Sequence, residues 1–346
     1  MESLLTLERF DEITSRFASI KPIMVVGDVC LDKYTYGVVE RISPEAPVPV
    51  LQVTKEWFKL GMASNVSDNL KSLTAPSTLC GIVGEDKSGS MFKKLLLNNN
   101  LTDKAIISDE HIATIVKERV MTNAQQICRV DYEREGELVP EVIDKISRCV
   151  SKFSYDHDAL IIEDYGKGLL TEKLCQNLIS IYKEQKKLVA VDPSRKAHPK
   201  WYKGATLLKP NLIEARIMVE ALGYHNEKNV ETMAKILIDK LELEKLVITL
   251  GPEGMALCDT SIDNRLHLIP TVANEVFDVS GAGDTAISAI TASLVAKSSL
   301  IEAAWIGNCG SGVAVGKKGT ASVTIKELKE FFWHLRRGLK NRETNL

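Results

Sequence analysis

The sequence predicts an α/β protein: a mostly parallel central sheet between two helical layers, with a small β-sheet attached as a lid. Short apolar runs that end in Gly, Asp or Pro recur at "IMVVGD", "TLCGIVGED", "ALIIEDYGKG", "LVAVDPS", "ATLLKPN" and "KLVITLGPEG", as strands buried on both faces do. Between them, residues 171–185, 211–222 and 228–241 carry apolar positions at helical spacing. Strand–helix alternation of this kind implies a parallel sheet covered on both sides. Residues 33–55 and 112–131 break the alternation, because they read as strands with no helix between them. They are expected to form the lid, with Pro44, Pro47 and Pro49 at an edge or bend.

The whole chain, 1–346, reads as one domain, since no Ser/Gly linker, repeat or low-complexity tract divides it and 45% apolar residues can fill a large core. Forty-four basic and 46 acidic side chains leave a net charge of −2, which argues against nucleic acid as a partner. The N-terminal "MESLLTLERFDEITSRF" mixes charges into its apolar residues. With no run near the roughly 20 apolar residues that span a bilayer, a cytoplasmic protein without a membrane partner is expected. The seven cysteines are scattered without a C-x-x-C pair and the six histidines show no ligand spacing, so reduced thiols and no transition metal are expected.

Ligands of such sheets bind at the carboxyl ends of the strands, and those ends carry Asp28, Asp164, Asp192, Asn211 and Gly251. The stretch "VFDVSGAGDTAISAI" adds a glycine turn, Gly281-Ala282-Gly283, followed by Asp284 and a helix-like run over 285–294. Helix N-termini attract anions. The run fits the loose G-x-G-x-x-A dinucleotide fingerprint, but it lacks the strand before it and the acidic residue on a following strand. No G-x-x-x-x-G-K-[ST] or H-R-D occurs. A hydroxyl attacking a γ-phosphoryl group needs a proton acceptor, and the phosphoryl oxygens need fixed donors; Asp284 and the amides of 281–284 supply both. The bland alternative is that Asp284 only caps the helix.

"DVSGAGDT" resembles the C-terminal signature of the ribokinase-like carbohydrate kinases. "GDVCLDKYTYGVVERISPEAPVPVLQV", "NAQQICRVDYE", "EDYGKG" and "GVAVGKKGTASVT" are similar to the branch that phosphorylates D-glycero-β-D-manno-heptose 7-phosphate. The resemblance covers about residues 20–325. It implies a ribokinase-like fold and an ATP- and Mg²⁺-dependent kinase that converts the sugar's anomeric hydroxyl to the 1,7-bisphosphate for lipopolysaccharide assembly. The implied alternatives are another sugar or nucleoside kinase, or a sensor without turnover.

By the same resemblance Asp284 is the catalytic base, and the amides of Gly281, Ala282 and Gly283 hold the phosphoryl group. Asn211 and Glu214 place Mg²⁺ through water, and Thr249, Gly251, Gly254 and Asn308 line the nucleotide. Asp28, Asp32 and Asn65 meet the sugar hydroxyls, and Arg129 and Lys167 its phosphate. The chain departs from its relatives at Met62, where a second glycine is usual, and at Ser194, where a lysine is usual and Arg195 and Lys196 are the expected substitutes. A homodimer through the lid is implied, and no C-terminal adenylyltransferase domain is expected.

Overall fold

The computed structural model describes residues 5–123, 125–133, 138–263, 265–272, 277–317 and 321–343, with side chains described as far as 337. Helix α1 (Leu7–Ser15), capped by the Thr6 hydroxyl, precedes strand β1 (Ile23–Gly27). After Asp28 alone the chain leaves the main sheet for the lid hairpin, β2 (Val29–Ile42) and β3 (Pro49–Met62), and returns through α2 (Ala63–Ser72). Asp28 and Met62 are therefore the root of the lid. The chain continues through β4 (Ser77–Gly84), α3 (Lys87–Asn98), β5 (Ile106–Asp109), the lid strands β6 (Ile115–Met121) and β7 (Gln126–Tyr132), and α4 (Pro140–Phe153).

The second half holds β8 (Ala159–Glu163), α5 (Glu172–Glu184), β9 (Leu188–Asp192), β10 (Leu207–Leu208), α6 (Leu212–Ala221), α7 (Val230–Leu241), β11 (Lys245–Thr249), β12 (Met255–Asp259) and β13 (His267–Ile269). It closes with α8 (Ala282–Val295), α9 (Leu300–Val315) and α10 (Ile325–Glu343). The nine-stranded main sheet has the order β13-β12-β11-β10-β9-β8-β1-β4-β5. Within this sheet β11, β10, β9, β8, β1, β4 and β5 run parallel, and β12 and β13 pair antiparallel. Alternate residues of one strand enter opposite cores: Ile161 packs with α8 and α9, while Leu160 and Ile162 pack with α4 to α7. Burial on both faces is what the unbroken apolar runs require.

The second sheet, β3-β2-β6-β7, is the expected lid. Its first hairpin reaches beyond 33–55, because β2 and β3 stay paired from Val29↔Met62 to Ile42↔Pro49, while β6 and β7 fall almost wholly within 112–131. Pro44 and Pro47 fall in the connection and Pro49 opens β3, where a missing N–H costs no ladder bond. Strand β10 is shorter than its apolar run suggests. Pro210 follows Lys209, and a proline cannot donate to a ladder. Strands β5, β12 and β13 have no counterpart in the sequence expectations. No helix among the described residues is long and apolar enough to cross a membrane.

Candidate active site

A cavity of about 880 Å³ opens above the carboxyl ends of β8, β9 and β11 and between the N-termini of α6 and α8. Helix α8 starts at Ala282, earlier than its apolar run suggests, with Gly281 as N-cap at φ +80°. Only glycine takes that conformation readily, so the turn depends on it. Asp284 occupies the third helical position and makes no capping bond. Its Oδ1 accepts the Tyr165 hydroxyl at 3.0 Å and its carboxylate also accepts the Asn65 side chain. The capping alternative fails on that geometry. Of the turn amides, Ala282 departs from expectation: its N–H donates to the Val279 carbonyl at 3.3 Å. Among the described residues the N–H groups of Gly281, Gly283 and Asp284 have no such partner, which leaves an anion-binding turn of different composition.

Glu163, Asp192 and Asp284 bring carboxylate oxygens within 4.8 Å of one another, all buried. Lys209, 2% exposed, answers them with its Nζ 2.7 Å from Asp192 Oδ2. A side chain at Gly283 would start 3.5 Å from that Nζ, so the ammonium lies directly beneath the anion-binding turn. Burial and the neighbouring Asp192 push the Asp284 carboxyl up to about 6, against the hydrogen bonds from Tyr165 and Asn65 and the charge of Lys209. Glu163 is also held well above the ordinary carboxylate range, through burial and the repulsion of Asp192 and Asp284, and its Oε2 has no hydrogen-bond partner among the described residues.

The raised Glu163 makes a thermal prediction. The folded state binds this proton more tightly than the unfolded chain, so the stability it contributes is complete below the unfolded carboxyl range and is lost as pH rises through the folded value. Glu163→Gln keeps the shape and removes the titration. Its melting temperature should match wild type near pH 4 and exceed it by a few degrees near pH 8. Equal differences at both pH values would show that Glu163 does not titrate between them.

Asn211 and Glu214 form a reciprocal capping box at the start of α6: Asn211 Oδ1 accepts from Ile213 and Glu214, and Glu214 Oε2 from the Asn211 N–H. Among the described residues, Glu214 Oε1 meets the Arg195 side chain, 3.7 Å away, at the cavity wall. Lys196 bonds the Gly166 carbonyl at 3.5 Å. A second, less polar cavity of about 250 Å³ adjoins the first, sharing Thr249, Gly251 and Gly283 and reaching Gly254 and Asn308. Gly254 has φ +98°, and a Cβ there would lie 2.1 Å from the Ile269 carbonyl oxygen, so no other residue fits. Asn308 donates to the Pro270 carbonyl at 2.8 Å and fixes that wall.

On the lid side, Asp28 accepts the Lys167 and Leu169 backbone N–H groups at 3.0 and 3.3 Å, tying the 164–169 turn to the end of β1. Asp32, 4% exposed, pairs with Arg119 at 2.6 Å. Asn65 reaches Asp284 from the first turn of α2. Lys167 meets Glu133 at 2.5 Å and Lys117 meets the same carboxylate at 3.5 Å. Arg129, half exposed on β7, is held by Asp131 and stands opposite Arg119 in the sheet. The register puts Asp32, Lys117, Arg119, Arg129 and Asp131 on one face of the lid. Met62 has φ +55° and ψ −134°, strain of roughly 1–3 kcal/mol for a residue with a side chain. Lys209, Glu163, Tyr165, Lys117 and Arg119 were missed from sequence. The available signal was a charge ending an apolar run, as in "ATLLKPN" and "ALIIEDY".

The "Bifunctional protein HldE" of Wolinella succinogenes is 40% identical over 318 residues, 91% of this chain and 65% of that protein. The protein of the same name from Helicobacter pylori (strain Shi470) is 38% identical over 89% of this chain and 66% of its own length. The chain thus spans about two thirds of these curated relatives. Among solved structures, phosphofructokinase-2 from Escherichia coli superposes with a TM-score of 0.73 at 19% identity, over 92% of this chain and 99% of that one. A ribokinase from Arabidopsis thaliana, complexed with ribose and ATP, gives 0.68 at 16%, over 90% and 99%. These confirm the ribokinase-like fold with its separate smaller sheet. Residues 21–327 match the pfkB family carbohydrate kinase, and the chain belongs to that family as a sugar kinase.

Proposed function

We propose that this kinase transfers the γ-phosphoryl group of ATP to the anomeric hydroxyl of D-glycero-β-D-manno-heptose 7-phosphate, in the route to ADP-heptose and the lipopolysaccharide core. The observation that carries the chemistry is Asp284: a buried carboxylate, raised to about 6, beside the Gly281 and Gly283 amides, which have no partner among the described residues. It takes the proton of the attacking hydroxyl while the turn and Lys209 face the charge that develops on the phosphoryl oxygens. The less polar cavity suits a nucleoside and the polar one its phosphates. Glu214 Oε1, engaged among the described residues by a long contact to Arg195, suits a water-bound Mg²⁺ beside Asn211. When bound, that ion supplies positive charge to the phosphates.

The sugar reading rests on the sequence likeness to the HldE proteins and on the cations of the lid. Asp32 and Asn65 offer hydrogen bonds to hydroxyls, and Asp28, which accepts the Lys167 and Leu169 backbone N–H groups, holds the adjoining turn in place. The deciding experiment is a coupled ADP-release assay over heptose 7-phosphate, free heptose, fructose 6-phosphate, fructose and ribose. Preference for heptose 7-phosphate supports the proposal, and preference for any other sugar replaces it. No ADP release with any of them favours a sensor.

The lid makes its own prediction. Closed over the sugar, it excludes water that would otherwise accept the phosphoryl group. ADP release without sugar should be at least about a hundredfold slower than with it. Equal rates would deny the lid a gating role.

A further inference from the structure

Tyr165 stands between two parts of the molecule, the root of the lid and the carboxylate of Asp284. Its ring packs against Cys30, Met62 and Ile115, which form an apolar cluster at the root of the lid. Its hydroxyl donates to Asp284 Oδ1 at 3.0 Å. Burial and the neighbouring Asp284, Glu163 and Asp192 hold the phenol well above its ordinary range, so it stays protonated and keeps a proton to donate to Asp284. Cys30 lies on β2, Ile115 on β6 and Met62 at the end of β3, so three lid strands grip one ring. Met62 is pressed there by a backbone that a glycine would leave relaxed.

We infer that Tyr165 is a positioning residue that couples the lid to the base, aiming Asp284 through its hydroxyl while the Cys30–Met62–Ile115 cluster sets the place of its ring. The inference rests on Asp284 being the base. The hydroxyl bond commits one carboxylate oxygen and stabilises the charged form, so the base is ionised at lower pH than it would otherwise be. The other groups that face Asp284 are Asn65 from α2, Glu163 from β8, Asp192 from β9 and Lys209 after β10. Of these, Asn65 follows Met62 by three residues in the first turn of α2, so movement of the lid root reaches the carboxylate side chain to side chain through Tyr165 and along the backbone through Asn65.

The test is the pH dependence of kcat in Tyr165→Phe, which keeps the ring and removes the donor. The acid limb should move to higher pH, giving a loss about tenfold larger near pH 5 than near pH 8, with KM for ATP unchanged. A purely structural role would lower kcat evenly across pH or raise KM for ATP, and either result overturns the inference. Met62→Gly releases the ring without touching the hydroxyl and should move the limb in the same direction by less; if Tyr165→Phe does not fold, this variant decides, and an unmoved limb overturns the inference. A moved limb requires a titrating base, so Asp284→Asn retaining activity would fail the proposed function, whereas an unmoved limb in Tyr165→Phe alone fails only the coupling.

Discussion

Asp284→Asn is expected to lower kcat by roughly 10² to 10⁴ while leaving ATP affinity in place. The amide has nearly the same shape and still accepts the Tyr165 hydroxyl, so the turn keeps its geometry; what disappears is the proton acceptor. The wild-type rate should rise with pH through about 6, where the buried carboxyl ionises. The same residue costs stability, because its folded value is raised: below the unfolded carboxyl range the neutral acid is harmless, and the charge becomes a burden as pH rises through about 6. The variant should therefore melt no lower than wild type, and higher near pH 8. The loss of rate with a gain in stability would mark a site held against its own repulsion. Retention of more than about a tenth of the wild-type kcat would show that Asp284 is not the base.

Most of the main sheet was legible because strands buried on both faces must be apolar along their whole length, and the helices between them advertise one face. Helix α8 was harder, since every residue from Asp284 to Leu294 is buried and an all-round apolar helix gives no periodicity to mark its start. The lid was visible as alternation, but its partners were not. Asp32 and Arg119 are separated by 87 positions and Lys167 and Glu133 by 34, and alternation within one strand says nothing of which strand lies beside it. Asp284, the proposed base, was legible as part of a motif; its neighbours were not. Lys209 looked like the end of a strand, and only the sheet order, with β9 beside β10, brings it to Asp192.

The kinase is expected to use heptose 7-phosphate far better than free heptose, with Lys167 and Arg129 carrying much of the difference. Lys117 and Lys167 share the Glu133 carboxylate, at 3.5 and 2.5 Å, while Arg119 and Arg129 stand across from each other on the same face of the lid. A phosphate dianion can replace Glu133 and accept several charge-assisted hydrogen bonds, each worth about 1.5–3 kcal/mol. A free hydroxyl in that place would leave the cations to their existing partners and gain little. Discrimination in kcat/KM of at least about a hundredfold follows. Lys167→Ala should raise KM for the sugar phosphate by roughly 10- to 100-fold and leave KM for ATP nearly unchanged, since the contact lies on the sugar side and serves binding. Arg129→Ala should do the same by a smaller factor, because the side chain is half exposed and already held by Asp131. Equal use of both sugars by the wild type would mean a kinase for neutral sugars. Full discrimination surviving in both variants would place the phosphate away from this face of the lid, on the Arg195 and Lys196 side of the large cavity.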